Sequence, residues 1–318
     1  MTTPPVWLWL LFVGVVVVLL VLDSMLLHRG AEVIPVRRAA IDSIGWITIS
    51  LLFGLLVLAV LGGHAAGEYY AAYVTEKALS VDNVFVWAVI LAHFAVPKAL
   101  QHRALFWGVA AALILRLVFI LAGVALLDRL NWLFYFFGAF LVFAAIKMVR
   151  DSDDEIDPEG GPVMRTARRL VPSVPEFHGT SLFTRIDGRR VATQMFFVVV
   201  VIETTDLVFA VDSIPAVLAL STDRFVVLSS NAFAVMGLRS LYFLFADLHG
   251  RFRYLPQGLA LVLAFVGAKM ILEQGIGSWS VEIPIATSLG VILGVLAGAV
   301  VASIVFDRPE PRTEEAAS

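Results

Sequence analysis

The chain has 318 residues, 60% of them hydrophobic and only 15% charged, with a net charge of −3 and no cysteine; its mean hydropathy is +0.90. A soluble domain carries about 25% charged residues, so this chain lacks the polar side chains to cover a water-exposed surface and reads as an all-α polytopic membrane protein. The small net charge points to no nucleic acid or other polyanion as partner. Without thiols there is no disulfide framework, thiolate metal site or cysteine nucleophile.

A bilayer core takes about 20 apolar residues per helix. Nine runs of suitable length lie between clusters of Arg, Pro, Gly and acidic residues: 6–27, 41–61, 71–94, 104–127, 132–149, 193–220, 225–246, 255–272 and 284–305. The first has no preceding basic residue and no small-residue cleavage site, and its apolar stretch is too long for a signal peptide; a retained helix is expected. Counting Lys and Arg puts 16 on one side of the nine-span arrangement and only Arg129 and Arg224 on the other. The positive-inside rule makes the richer side cytoplasmic, with the N-terminus outside and the C-terminal tail inside. Residues 151–191 open with the acidic run Asp151, Asp153, Asp154, Glu155 and Asp157, continue with arginines, Pro172 and Pro175, and read as a solvated cytoplasmic linker. The polar tail 307–318 is expected to be disordered.

The chain repeats itself. Val81-Asp82-Asn83-Val84 aligns with Val211-Asp212-Ser213-Ile214, which sets Glu76 against Asp206. Leu115-Arg116-Leu117 then matches Leu238-Arg239-Ser240, and Lys147-Met148 matches Lys269-Met270. Each unit holds three spans, and three is odd; with both units joined by one cytoplasmic linker, the second must be upside down relative to the first. A 3+3 inverted repeat is the plan of many secondary transporters, whose site lies at the repeat interface near the midplane. The expected organisation is two accessory helices (1–66), a first unit (67–150), the linker (151–191), a second unit (192–273), a last span (274–306) and the tail.

Glu76, Asp82, Glu203, Asp206 and Asp212 interrupt otherwise apolar stretches. An Asp at a helix centre costs about 2.5 to 3.5 kcal/mol in insertion, so these groups must face the protein interior or water. The plain alternative is simple pairing with Lys77, Arg116 and Arg239. Glu203 and Asp206 share a helix face, whereas Asp206 and Asp212 fall about 120° apart on a regular helix. Pro215 would free the carbonyl of Val211 and favour a hinge beside Asp212. Asn83 and Ser213 add neutral oxygens next to the paired aspartates, and Ser80 lies one turn before Asn83. Carboxylate, amide, hydroxyl and carbonyl oxygens suit hard divalent cations. The six histidines lie at span ends or in loops and read as interfacial residues, as do Trp7, Trp9, Trp132, Tyr135 and Trp279. Neither His-Glu-x-x-His nor a Walker-type glycine loop occurs, so no enzymatic hydrolysis and no resident cofactor are expected.

The segments Glu76-Lys-Ala-Leu-Ser-Val-Asp-Asn-Val-Phe-Val, Glu203-Thr-Thr-Asp-Leu-Val-Phe-Ala-Val-Asp-Ser-Ile-Pro-Ala and Ser230-Asn-Ala-Phe-Ala-Val-Met-Gly-Leu-Arg-Ser-Leu-Tyr-Phe resemble three blocks of the TerC family of integral membrane proteins. The likeness runs from about Leu22 to Leu272; Arg190-Val-Ala-Thr-Gln-Met departs from the Thr-Pro-Leu usual in the family. The resemblance implies a bacterial inner-membrane protein linked by name to tellurium resistance and, in several members, to efflux of manganese or related divalent ions. It also implies that Asp82, Glu203, Asp206 and Asp212 occupy the family's acidic positions. Tellurite itself fits poorly, because an oxyanion wants donors where acids outnumber cations.

The resulting expectation is a secondary exporter of divalent cations, manganese foremost. Asp82, Asn83, Glu203, Asp206, Asp212 and Ser213 would bind metal and Glu76 would carry protons or bind metal. Arg116 and Arg239 would balance charge, and Pro215 would act as the hinge. The rivals are a scaffold acting through the linker and an exporter of cationic organic solutes.

Overall fold

A computed structural model describes residues 4–27, 34–127, 129–130, 132–150, 162–186, 188–245, 254–275 and 283–306, in which the side chains of 24–27, 162, 163, 212 and 245 are outside the description. The acidic run of the linker and the tail therefore lie outside the described residues. Among the described residues eleven helices and one hairpin follow in chain order: α1 (Val6–Leu27), α2 (Val36–Leu61), α3 (Gly63–His93), α4 (Lys98–Leu127), α5 (Leu133–Arg150), α6 (Pro162–Leu170), β1 (Phe183–Ile186), β2 (Arg189–Ala192), α7 (Gln194–Leu218), α8 (Arg224–Met236), α9 (Leu238–Phe245), α10 (Leu255–Gln274) and α11 (Ile285–Val305).

Eight stretches among the described residues are long and apolar enough to cross a membrane, which makes the chain an all-α polytopic membrane protein. They lie on α1, α2, α4, α5, α7, the α8–α9 pair, α10 and α11. The ninth expected span, α3, is 31 residues long, or roughly 46 Å at 1.5 Å per residue. Its Glu68, Glu76, Lys77 and Asp82 would be costly in lipid, and the fold wraps it with α2, α7, α8, α9 and α11. The span through α8 and α9 is the other central one, 94% buried, whereas α1, α2, α5 and α11 bury 17 to 22% of theirs and turn Val6, Leu10, Ile44, Phe143 and Ile304 outward. In a bilayer those outward residues meet acyl chains, so apolar exposure there costs nothing.

Local chemistry sets the breaks. Gly62 separates α2 from α3 at φ +91° and ψ 176°, a backbone state open only to glycine. Asp223 caps α8, its carboxylate accepting from the backbone of Phe225 at 2.9 Å and Val226 at 3.1 Å, which satisfies donors that a helix start leaves orphaned. The expected single helix over 225–246 is divided at Gly237, where Lys77 Nζ donates to the carbonyl of Ala234 at 3.0 Å. A Cβ on Gly237 would come within 2.6 Å of that ammonium. This partner was not legible in the chain, because Lys77 and Ala234 are 157 residues apart.

Helix α5 packs closely on α10. A Cβ on Gly138 would stand 2.8 Å from the carbonyl of Gly267, and a Cβ on Gly267 would stand 2.7 Å from the carbonyl of Gly138. Such close backbone approach by small residues is how helices associate in lipid, where no hydrophobic force drives them together. A second core, on α1, α2, α3 and α8, is aromatic, with Phe12, Phe53, Tyr69, Phe225 and Phe233 packed edge to face or tilted. The expected linker is ordered where it is described: α6 and the antiparallel β1–β2 pair, Phe183 opposite Ala192, precede α7.

Candidate functional site

Three helices bring the polar residues together. On α3, Glu76 and Asn83 are seven residues apart, as are Asp206 and Ser213 on α7, and two turns return a side chain to the same helix face. The two helices run in opposite directions here. Asn83 Nδ2 donates to Asp206 Oδ1 at 3.1 Å; at the other end of the contact, one guanidinium nitrogen of Arg116 on α4 donates both to Glu76 Oε1 and, at 3.3 Å, to Ser213 Oγ. The same guanidinium reaches Asp206 through Nε at 3.4 Å and Nη2 at 3.3 Å. Glu76, Asn83, Arg116 and Asp206 are each 1% exposed or less. Taking charges out of water is expensive, so this triad holds only because each carboxylate keeps the shared cation.

Beside the triad lies a cavity of about 20 Å³ whose polar wall is Glu76, Asp82, Asn83, Arg116 and Ser213, with Leu79, Met148 and Leu263 among its apolar wall. That space holds about one water molecule or one bare ion. Two acceptors on its wall are left over. Glu76 Oε2 and Asn83 Oδ1 are buried with no hydrogen-bond partner. Asp82 is half-buried, and no hydrogen bond or ion pair to it is found among the described residues. Ser80 lies at the edge of the cluster, donating to Glu76 Oε1 at 3.4 Å.

The other sequence-derived candidates sit differently. Glu203 stands one turn before Asp206 but does not line the cavity; both its oxygens are buried without a partner, and a Cβ on Gly108 of α4 would lie 3.7 Å from Oε1. Asp212 belongs to α7, and its side chain is outside the described residues. The expected hinge residue Pro215 lies within the last turn of α7, which stays helical to Leu218; its missing N–H leaves the carbonyl of Val211 without that donor. Arg239 stands apart from the acids. Its guanidinium pairs with Asp23 of α1, both about nine-tenths buried, so the sequence repeat does not carry over to the partners of the two arginines. Asp23 is thereby a paired carboxylate and lies outside the cavity. Of the histidines, His64 is held by Glu68 at 3.1 Å, and none among the described residues lines the cavity. No three His, Asp or Glu side chains among the described residues converge as a ready-made metal cage. What the site offers is an ion-sized space with mixed carboxylate, amide and hydroxyl oxygens beside a fixed guanidinium.

A second polar cluster escaped the sequence reading. Buried Glu68 accepts from Ser221 Oγ at 2.8 Å, and Lys269 reaches Glu273 at 2.8 Å and the carbonyl of Ala219 at 3.3 Å, around a cavity at the Glu68 end of α3. The spacing of Glu68, two turns before Glu76, was its one signal.

Residues 61–310 match the model of the integral membrane protein TerC family. The chain belongs to the TerC family. An uncharacterized membrane protein of Myxococcus xanthus, STKORF319, is 41% identical over 307 residues, 96% of this chain and 95% of that one. The protein named "Putative membrane-bound redox modulator Alx" in Escherichia coli strain K12 is 40% identical over 298 residues, 91% of each. An uncharacterized membrane protein of Rickettsia bellii is 33% identical, over 93% of this chain and 97% of its own length. No solved structure matches. The TerC match begins at the end of α2, so the Asp23–Arg239 pair ties a helix outside the matched residues to one inside them.

Proposed function

We propose that this TerC protein is a secondary transporter that exports divalent metal cations, manganese foremost, across the bacterial inner membrane, and that it performs no enzymatic chemistry. The observation that carries the reading is the surplus of buried acceptor oxygens around an ion-sized cavity. Glu76 Oε2 and Asn83 Oδ1 have no donor, and Asp82 faces the same space. Buried oxygens left without hydrogen atoms are strongly disfavoured; a bound cation, or a proton when the cation has left, relieves them. Metal–proton exchange follows from that alternation, with Glu76, Asp82 and Glu203 as the groups that gain and lose protons. The polar ligand atoms are hard oxygens, with the thioether of Met148 also on the wall; the carboxylate, amide and hydroxyl oxygens favour Mn²⁺, Mg²⁺ or Ca²⁺ over softer ions.

Arg116 stands on the cavity wall and positions Glu76 and Asp206 by donating to both. The opposed directions of α3 and α7, and the reciprocal contacts of Asn83 with Asp206 and of Glu76 with the guanidinium nitrogen that also holds Ser213, support the inverted-repeat plan. That plan in turn supports alternating access by rocking one unit against the other. The arginine distribution supports an outside N-terminus and a cytoplasmic tail. The redox effect in the name of the Escherichia coli relative cannot run through thiols here, because the chain has no cysteine; metal balance is one indirect route to it, and tellurium resistance would follow the same route.

Purified protein in liposomes loaded with a Mn²⁺-sensitive dye and a pH dye tests the proposal. Mn²⁺ flux with counter-flow of protons is expected, and flux equal to that of protein-free liposomes would refute it.

A further inference from the structure

We propose that the layer made by α6 and the β1–β2 hairpin is a binding surface for anionic phospholipid headgroups of the protein's own membrane. Residues 162–192 contain six arginines, Arg165, Arg168, Arg169, Arg185, Arg189 and Arg190, and no lysine, against the two acids Glu176 and Asp187. All six are exposed. A topological signal needs only charge in a loop; here the charge is carried on ordered elements fixed to the start of a span.

Ring contacts fix the depth. The guanidinium of Arg168 lies 5.7 Å from the ring centre of Phe197, and that of Arg190 lies 4.5 Å over Phe183, whose own ring is 5.1 Å from Phe196. Phe196 and Phe197 belong to the first turn of α7, where that span begins. A bilayer crossed by α7 would therefore bring its phosphates to the level of both cations. The layer is built to stay there: buried Met164 packs in the same cluster as Met195 and Val198. The Ala192 N–H also donates to Pro172 at 2.8 Å, and Thr193 Oγ1 donates to the carbonyl of Ser181 at 2.7 Å. At the ends of the same elements Leu170 is 75% exposed and Ile186 38% exposed, apolar side chains beside cations as in surface-seeking helices. Guanidinium groups take phosphate oxygens through two parallel hydrogen bonds, and each basic residue at a membrane surface contributes about fivefold in binding.

The test uses the full-length protein in neutral detergent, with native mass spectrometry counting bound lipid during titration with equal amounts of dioleoyl phosphatidylglycerol and dioleoyl phosphatidylcholine. The wild-type protein is expected to favour phosphatidylglycerol at least tenfold, and less so as salt rises and screens the charges. Arg168→Gln with Arg190→Gln should lower the preference at least fivefold, and Arg168→Lys with Arg190→Lys should fall between. Equal uptake of the two lipids by the wild-type protein overturns the proposal whatever the variants do. An unchanged preference after all six arginines are replaced by Gln, in protein with an unaltered melting temperature, overturns it as well.

Discussion

Asn83 and Asp206 are joined across α3 and α7 by a hydrogen bond of 3.1 Å, and that bond orients the amide: were it turned over, its oxygen would face a carboxylate. Held this way, Asn83 presents Oδ1 with no donor to satisfy it, next to the cavity that Asp82 also lines. One helix contact therefore sets both a structural bond and a vacant acceptor.

The Asp82 carboxylate bonds to none of the described residues and lines the cavity, so on the proposed function its charge serves transport and not the fold. Asp82→Asn is expected to cut Mn²⁺ flux in liposomes at least tenfold while changing unfolding free energy by less than about 1 kcal/mol. Full flux in the variant would remove Asp82 from the site.

Arg116 is the reverse case. Arg116→Gln leaves Glu76 and Asp206 facing each other without a cation, which should cost about 3 to 5 kcal/mol and lower the detergent melting temperature sharply. The triple variant with Glu76→Gln and Asp206→Asn should recover most of that stability and none of the transport. A triple variant as unstable as the single one would show that the charge balance is not what Arg116 supplies.

The mutual approach of Gly138 and Gly267 leaves no room for a side chain. Gly138→Val or Gly267→Val should force α5 from α10 and destabilise by at least the roughly 1 to 3 kcal/mol of an overpacked core, read as loss of monodisperse protein on size-exclusion chromatography. Gly290→Val on α11, where an added Cβ meets nothing within 4 Å, is the control and should elute like the wild type.

Asp23 and Arg239 form a pair between α1 and α9. A double-mutant cycle of Asp23→Asn and Arg239→Gln, followed by thermal melting, should give a coupling of about 0.5 to 3 kcal/mol, with each single variant less stable than the double. Strict additivity would mean that the two side chains act independently.

The heptad spacing of Glu76 with Asn83 and of Asp206 with Ser213 was legible in the chain, because helix periodicity alone puts each pair on one face. Arg116 was legible as a neutraliser for the same reason that buried acids are costly anywhere in a bilayer. Arg239 was not: the sequence repeat equates it with Arg116, yet Asp23, from a helix before the repeat, is near enough to capture it. The division at Gly237 likewise depends on Lys77 finding a carbonyl from a distant helix. An extended reading of 225–246 as one helix contains nothing that foretells this.

By itself the sequence determined that the chain is helical and crosses a membrane, since apolar runs of that length have no other way to satisfy their backbone groups in lipid. It also determined which polar residues had to be interior. Only the tertiary structure decided how they are grouped: Glu76, Arg116 and Asp206 in one buried triad, Asp82 beside an ion-sized space, and Glu203 a turn away against Gly108. Ion pairs and cavities of this kind form between helices far apart in the chain. Their partners are chosen by which backbones can come close, as Gly138 and Gly267 do, and periodicity along a single helix carries no record of that.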